Sequence, residues 1–209
     1  MLDIHPPHAA AHSWRDILIH LATITVGLFI ALSLESMIEG IHHRHIVREA
    51  RENIRHEIEV NKSKVEKNEI SVQSNADNMK GNIDKARALR DKSGKIEPMR
   101  FSFTWDSFDD SAWRAARDSG ALGLMPIGEV QSYADAYGEQ DIVNRAAVTI
   151  FTNETDGVAP TLMEKNPQDI RPEDVHELMR DCALSLIHLT TLKQLIHQLG
   201  KNYADVLPK

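Results

Sequence analysis

The sequence predicts an all-α protein with one transmembrane helix that continues into a long coiled-coil-like helix, followed by a small helical bundle. Three observations support this fold class. An apolar run extends from Ile17 to Ile38, a charged stretch with few helix breakers follows it to Lys92, and apolar side chains recur at helical spacing in the remainder. No alternating pattern typical of a strand ladder competes with them.

The apolar run is long enough to cross a bilayer. A helix of about twenty-two residues extends roughly 33 Å, against a hydrocarbon core of about 30 Å. His20 and Glu35 lie within a turn of its ends, where polar groups reach the interface, and Trp14 stands where an interfacial anchor belongs. We therefore predict a single-pass membrane protein, with membrane lipid as one partner.

Two other interpretations of this run exist. Ala31-Leu32-Ser33 offers a small-residue cleavage site for a secretory signal, but only Arg15 precedes the run, whereas a signal peptide begins with a clearly basic region. A buried helix of a soluble domain is the second alternative, because the strictly uncharged centre covers only Leu21 to Leu34. The interfacial residues at both ends favour the membrane.

The net charge, the single cysteine and the missing catalytic motifs argue against several classes of function. The chain of 209 residues has a formal net charge of −7 and a pI near 5.9, which argues against a nucleic-acid partner. Cys182 is the single cysteine, so neither an internal disulfide nor a cysteine-based zinc site can form. Nucleophile-elbow, P-loop and zinc-protease motifs are missing. We therefore predict a protein that is not an enzyme and holds no cofactor or metal.

Changes in hydropathy, together with glycine and proline residues, divide the chain into four segments. Residues 1–16 form an N-terminal tail and pre-membrane helix, 17–38 the transmembrane helix, 39–92 a long stalk helix and 93–209 a helical domain that packs on the stalk. Within the last segment we predict helices over 111–118, from Pro126 to about Thr152 and over 173–204. Turns are predicted at 93–107, with a short extended piece near 100–104, and at 153–157.

The stalk carries a seven-residue repeat. Apolar residues fill one column, and asparagines dominate a second column three residues after it. This is the a/d pattern of a coiled coil. The first column is Ile58, Val65, Val72, Met79 and Ala86, and the second is Ile54, Asn61, Asn68, Asn75 and Asn82.

The four asparagines allow two interpretations. They resemble the asparagine layers at d in trimeric coiled coils, where amides bond across the axis or hold an ion. That resemblance implies a homo-oligomer, with a trimer as one candidate. Alternatively, Asn61, Asn68, Asn75 and Asn82 line a solvated face of a helix that packs on its own domain.

The membrane helix has one small and polar face. At 100° per residue, His20, Thr23, Gly27, Ala31 and Glu35 fall within about a third of the circumference. Gly27 and Ala31 form a small-xxx-small pair, which lets two helix backbones approach closely in lipid. We predict that this face mediates helix association.

Two segments resemble a known group of proteins. The run ITVGLFIALSLESM (24–37) resembles the IGILIAL-type membrane helix of uncharacterised bacterial single-span membrane proteins, and SAWRAARDSGALGLMPIGEVQSYADAYGEQ (111–140) is similar to their downstream Trp, Ser-Gly and Tyr element. The resemblance implies a bacterial inner-membrane location and the architecture above, and no activity. Arg44, Arg48, Arg51 and Arg55 after the span place the C-terminal part in the cytoplasm by the positive-inside rule.

These observations predict a membrane-anchored, self-associating scaffold or accessory protein without catalytic activity. Its partners are itself and another membrane protein. The alternative is an oligomeric ion channel or proton-conducting assembly, because His20 and Glu35 are ionisable residues on one face of the span. A sensor that transmits a signal along the stalk is a third class.

Overall fold

The computed structural model describes residues 13–93, 97–163 and 170–207, with only the backbone of 153–163. It confirms the predicted fold class, since the chain is 86% helical and the described residues contain no strand. Residues 1–12 of the predicted N-terminal tail lie outside the described residues. The described elements are α1 (Trp14–Arg90), α2 (Ser111–Asp118), a short 3₁₀ helix (Ala121–Leu124), α3 (Ile127–Met163) and α4 (Pro172–Val206).

The chain divides into two compact units, Met1–Arg48 and Glu49–Lys209. The described part of the first unit is the N-terminal portion of α1. The second unit contains the rest of α1 together with α2, α3 and α4. The predicted transmembrane and stalk segments therefore belong to one element of 77 residues, which continues through Gly40 and Gly81 without a break. A single glycine costs about 1 kcal/mol in a helix, which a long helix tolerates.

The end of α1 is set by local backbone chemistry. Lys92 adopts a left-handed conformation with φ of 48°. Its N–H donates to the carbonyl oxygen of Leu89 at 3.3 Å, while the N–H of Ser93 donates to that of Ala88 at 2.9 Å. These two bonds form a Schellman motif, which satisfies carbonyls that a helix end otherwise leaves open. The chain thereby leaves the helix where the sequence predicted a connection.

In the second unit, α1 contacts both α3 and α4, and α3 and α4 pack against each other. Lys193 of α4 donates to Gln73 of α1 at 2.7 Å, and His197 lies 3.3 Å from Glu69, so α4 runs antiparallel to this part of α1. Arg51 pairs with Glu129 near the start of α3, and later residues of α1 pair with later residues of α3. These two helices are therefore parallel.

The buried residues of α4 follow a strict seven-residue repeat. Ser185 occupies one of these buried positions, while its neighbour Leu186 is only half-buried. The alternating spacing of three and four residues matches the repeat of α1. The buried residues of α4 are Val175, Leu178, Cys182, Ser185, Leu189, Leu192, Ile196, Leu199 and Tyr203.

The prediction for α3 is wrong in one place. The helix continues through the predicted turn at 153–157 and ends at Met163. Asn, Thr, Asp and Gly each disfavour a helix by up to about 1 kcal/mol, which does not by itself end one that can extend its hydrogen bonds. Phe151, predicted on the inner side, is 55% exposed, whereas Ile150 is buried.

The predicted bounds of α2 are confirmed, and the bonds that cap its N-terminus come from another helix. Asp110 occupies the N-cap position and makes no side-chain capping bond. Glu57 of α1 supplies it instead, because its Oε2 accepts from the Ala112 N–H at 2.8 Å and from the Ser111 hydroxyl at 2.7 Å. A carboxylate at a helix N-terminus satisfies free N–H groups and stabilises the helix dipole. Glu57 thereby fixes α2 to α1.

Candidate functional site

The membrane-length segment of α1 is exposed along its apolar side chains. A window of eighteen residues has a mean hydropathy of 2.3 and is 0% buried. Ile24, Phe29 and Ile30 are 69%, 66% and 64% exposed. The helix is therefore long and apolar enough to cross a membrane, and the fold of the described residues does not cover it.

Three hydroxyl groups of this segment are satisfied by the helix itself. Thr23 and Thr25 each donate to the carbonyl oxygen four residues earlier at 2.8 Å, and Ser33 does so at 2.7 Å. Such back-bonding removes the cost of placing a hydroxyl in hydrocarbon.

The predicted association face lies on this exposed segment. His20, Thr23, Gly27, Ala31 and Glu35 are all exposed, and a methyl group built on Gly27 would meet no atom within 4 Å. The face is therefore open to another helix. Trp14, the predicted interface anchor, begins α1 and is 72% exposed. Association through these residues stays a prediction.

The four asparagines of the stalk are buried. Asn61 and Asn75 have no exposed surface, and Asn68 and Asn82 are 1% exposed. The prediction of a solvated face is therefore wrong. The apolar column beside them is buried as predicted: Ile58, Val65, Val72, Met79 and Ala86 are all at most 8% exposed.

The chain's own extended segment provides partners for three of these amides. Nδ2 of Asn82 donates to the carbonyl oxygen of Arg100 at 2.7 Å, and Oδ1 accepts from the Arg100 N–H at 2.9 Å. Asn68 makes the same pair of bonds with Asp106, at 2.9 and 3.0 Å, and Asn61 with Asp109, at 2.7 and 2.9 Å. We call these three asparagines the asparagine ladder.

The register of the ladder follows from helix and strand dimensions. Seven helical residues rise about 10.5 Å, and three extended residues span about 10 Å. Each step of seven along α1 therefore matches a step of three along residues 100–109, in the opposite direction. This register places Phe103 opposite Asn75. One side of the backbone of an irregular segment is thereby paired, as it would be in a sheet.

The prediction that these amides bond across an oligomer axis is corrected by this finding. The amides of Asn61, Asn68 and Asn82 each use a donor and an acceptor on the backbone of the same chain. A buried amide needs partners of both kinds, and a backbone residue offers both at a fixed spacing. Intramolecular pairing therefore accounts for the asparagine column without a second copy.

A second column of α1 strengthens the same attachment. Lys64 donates to the carbonyl oxygen of Ser107 at 2.8 Å, Ser71 to that of Thr104 at 2.6 Å and Lys85 to that of Pro98 at 2.7 Å. These residues also repeat at multiples of seven, three residues after the asparagines. This column was not predicted, although its seven-residue repeat is visible in the sequence.

A buried polar network joins α1, α3 and α4 beside the ladder. Oε1 of Glu57 accepts from the Tyr137 hydroxyl at 2.7 Å, and Glu57 is 8% exposed. Oε1 of Gln140 accepts from the Tyr203 hydroxyl at 2.5 Å and from Nδ2 of Asn61 at 3.1 Å. Nε2 of Gln140 donates to the carbonyl oxygen of Asp109 at 2.9 Å. Every polar side-chain atom of the network has a partner, so the network positions the three helices and residues 100–109. The five residues that contribute side chains are Glu57, Asn61, Tyr137, Gln140 and Tyr203.

The electrostatics of the network favour neutral tyrosines. Burial raises the pKa of Tyr137 well above its ordinary value, and the hydrogen bond to Glu57 raises it further. Burial likewise raises the pKa of Tyr203, and the charge of Glu57 adds to that effect. Both hydroxyls therefore stay protonated donors across the physiological range.

A bidentate ion pair fixes the start of α3. Nε and Nη2 of Arg51 donate to the two carboxylate oxygens of Glu129, both at 2.7 Å. The hydrogen bonds from Arg51 hold the pKa of Glu129 below its ordinary value, and the Tyr133 hydroxyl donates to the same carboxylate at 3.3 Å. Two parallel N–H···O bonds of this kind are the strongest arrangement between an arginine and a carboxylate.

A polar groove of about 370 Å³ lies between α2 and α3. Trp113 stacks on Tyr137 at 5.4 Å, and Phe108 and Asn144 line the same groove. Asn144 is already engaged, since its amide bonds to both the N–H and the carbonyl of Phe108 at 3.2 Å. The charged residues at the groove carry both signs: Asp110, Arg114, Arg117 and Asp141.

The described residues hold one cysteine and no cluster of metal ligands. No group of three or more His, Cys, Asp or Glu is placed there to hold a metal ion, and Cys182 is buried in the α4 seam. Comparison with known proteins supplies no activity to test: no family model, curated protein or solved structure matches the chain. The resemblance to bacterial single-span proteins stays a prediction.

Proposed function

We propose that this chain is a membrane-anchored, self-associating scaffold or accessory protein without catalytic activity. The observation that carries the proposal is the exposed apolar segment of α1, which has no cover among the described residues. A soluble fold does not leave so large an apolar surface in water, because patches of more than a few hundred Å² mark interaction sites or membrane contact. Lipid is the environment that such a helix suits best.

The buried polar groups of the second unit favour a binding or structural role over a catalytic one. These groups bond to one another and to the backbone of residues 100–109. Such networks rigidify a domain and specify one arrangement of its helices. A rigid helical domain on a membrane anchor is suited to holding another membrane protein in place.

Self-association is assigned to the span, through the face of His20, Thr23, Gly27, Ala31 and Glu35. We do not assign self-association to the asparagine ladder, because its amides bond to the backbone of the same chain. Gly27 and Ala31 let two backbones approach, and the two ionisable residues on the same face are less costly when they point toward another helix than toward lipid.

The first experiment measures extraction and mass. The full-length protein is expected to require detergent for release from membranes and to elute as an oligomer by light scattering in mild detergent. Gly27→Ile is expected to shift it to the monomer, whereas Ala22→Ile, on the opposite side of the helix, leaves the mass unchanged. Release without detergent would overturn the anchor, and an unchanged mass for Gly27→Ile would overturn the association face.

Orientation is tested separately. The excess of arginines after the span, with Arg44 and Arg48 against only Arg15 before it, favours an inner-membrane protein with its C-terminal unit in the cytoplasm. A C-terminal fusion to green fluorescent protein is expected to fluoresce, while a fusion to alkaline phosphatase stays inactive. The reverse result would place the second unit outside the cytoplasm.

The ion-channel alternative has one observation in its favour. His20 and Glu35 share the exposed face assigned to association. In liposomes containing the purified protein, a conductance that is lost on Glu35→Ala would favour the channel. Unchanged permeability with a detergent-stable oligomer would favour the scaffold.

A further inference from the structure

We propose that the first unit contains a binding site for one phospholipid with an anionic headgroup. An apolar groove on α1 would hold an acyl chain, and Arg44 and Arg48 would bind the headgroup phosphate. The inference rests on the proposed membrane anchoring and adds a specific lipid class to it.

The groove lies along the exposed side of the membrane-length segment. It has a volume of about 440 Å³ and is lined by Val26, Phe29, Ile30, Ser33, Leu34 and Met37. The only polar lining residue, Ser33, has its hydroxyl bonded to the carbonyl oxygen of Phe29. The surface therefore offers dispersion contacts along about two to three helical turns, which suits a hydrocarbon chain.

The cations lie on the same side of the helix. At 100° per residue, Val26, Ile30, Met37, Arg44 and Arg48 fall within an arc of about 40°. Both arginines come after the apolar segment, where the headgroup region begins. A lipid whose chain follows the groove would thus bring its phosphate to the arginine side chains.

The conformation of Arg44 places its charge at the right depth. Its Nε donates to the carbonyl oxygen of Gly40 at 3.0 Å, so the side chain folds back toward the span. Gly40 has no side chain to obstruct it, and a methyl group built there would lie 3.9 Å from Nη2 of Arg44. The guanidinium consequently lies only about one turn beyond Met37, near the boundary of hydrocarbon and headgroup.

Two of the carboxylates near this site lie on the far side of the helix. Glu35 and Glu39 project about 160° away from the groove side. Glu39 is also 3.7 Å from Nε2 of His43. On the arginine side, Nη2 of Arg48 donates to Nδ1 of His45 at 3.2 Å. Within the first unit, the charged side chains that follow Met37 on this side are therefore Arg44 and Arg48.

Most of the lipid site lies beside the association face. Val26, Ile30 and Met37 lie outside the arc of His20, Thr23, Gly27, Ala31 and Glu35, whereas Leu34 falls within it. One helix can therefore contact a lipid on one side and a second copy on another. This separation makes the two proposals testable by different substitutions.

The test uses the full-length protein in mild detergent with phosphatidylglycerol and phosphatidylcholine of identical acyl chains. Native mass spectrometry counts the lipids retained per protomer over a range of concentrations. We expect one phosphatidylglycerol per protomer, bound about tenfold more tightly than phosphatidylcholine, since a cation near the surface contributes about 1 kcal/mol. The double variant Arg44→Gln/Arg48→Gln is expected to remove that preference. Arg114→Gln/Arg117→Gln, with the same charge change in the second unit, leaves it intact.

A second pair of variants tests the groove. Val26→Trp fills it and is expected to weaken retention of both lipids severalfold, whereas Leu28→Trp, on the opposite side of the helix, is not. Unaltered circular dichroism at 222 nm shows that each variant is still helical.

Three results would overturn the lipid site. These are equal retention of the two lipids by the unmodified protein, an undiminished preference for phosphatidylglycerol in the double arginine variant, and displacement of phosphatidylglycerol by an equal concentration of inorganic phosphate. A further contrary result is dissociation of the oligomer by Val26→Trp with lipid retention unchanged, which would assign the groove to a second copy. Each of these leaves the anchor standing if the protein still needs detergent for release.

Discussion

Asn68 and Asp106 exchange two hydrogen bonds, from the side-chain amide to the backbone carbonyl at 2.9 Å and from the backbone N–H to the amide oxygen at 3.0 Å. The two residues are 38 positions apart in the chain. The amide of one helical residue thus replaces the neighbouring strand that an extended segment would otherwise need. The ladder holds residues 100–109 by their backbone, and it brings Phe108 and Asp109 close to α3 and α4, where the Phe108 ring contacts Tyr203.

Replacing a ladder asparagine is expected to destabilise the second unit. In Asn68→Leu the N–H and carbonyl of Asp106 lose their partners, and an unsatisfied buried polar group costs about 1 to 3 kcal/mol. Urea unfolding in detergent, followed by circular dichroism, measures the loss. Asn53→Leu on the exposed side of the same helix is the control and is expected to change the unfolding free energy by less than about 0.5 kcal/mol. Equal stability of the two variants would contradict the ladder.

Hydrogen exchange gives a local readout of the same contact. The N–H of Asp106 lies in a segment without regular secondary structure, yet it donates to a buried acceptor. We expect this amide to be protected in the native protein and to lose protection in Asn68→Leu more than the amides of α4 do. Rapid exchange of Asp106 in the unmodified protein would exclude a stable ladder.

The three tyrosines are expected to ionise only when the protein unfolds. Burial raises the pKa of Tyr133, Tyr137 and Tyr203. These are all the tyrosines of the chain. Since the unfolded value is about 10, the contribution of the neutral hydroxyls is fully present below that pH and is lost as the pH rises above it.

Absorbance at 295 nm tests this directly. The tyrosinate signal is expected to appear together with the loss of helical circular dichroism above about pH 10. Tyr137→Phe, which removes a donor to Glu57, is expected to lower stability at neutral pH by about 1 to 2 kcal/mol. A tyrosinate signal near pH 10 from protein that is still folded would show that these hydroxyls are accessible.

The ion pair of Arg51 and Glu129 is expected to stabilise the second unit less at acidic pH. The bond from Arg51 holds the pKa of Glu129 down, so its contribution is present above the unfolded value of about 4.5 and is lost as the pH falls through the lowered value. Glu129→Gln is expected to cost about 1 kcal/mol at pH 7, because both side chains are only partly exposed. The difference from the unmodified protein should shrink below pH 4, and a constant difference would argue against the charge pair. Asp84→Gln, at an exposed pair with Arg87, serves as the control.

Gly200 marks a close approach of α4 to α1. A methyl group built there would lie 3.1 Å from Cγ1 of Val65, which is buried. Gly200→Leu is expected to destabilise the second unit by about 1 to 3 kcal/mol, since overpacking forces neighbours to shift. Gly123→Leu is the matched control because its position is open, and it should cost less. Recovery of stability in Gly200→Leu/Val65→Ala would identify the contact as the cause.

Local patterns in the sequence were sufficient for the helices and their buried faces. The apolar span, the seven-residue columns of α1 and the limits of α2 were predicted because periodicity reports directly which residues avoid water. The same patterns found the asparagines but left two interpretations open, layers of an oligomer and a solvated face of a helix that packs on its own domain. They also placed a turn at 153–157, where weak helix preferences did not end α3.

The sequence by itself determined that one helix is apolar enough to span a membrane and that the stalk has one face to bury. Only the tertiary structure decided what covers that face, because the asparagine ladder recognises backbone N–H and carbonyl groups. Those groups are the same in every residue of an extended segment, so residues 100–109 carry no side-chain signal of their attachment. The match between seven helical and three extended residues becomes visible only when the two segments lie side by side.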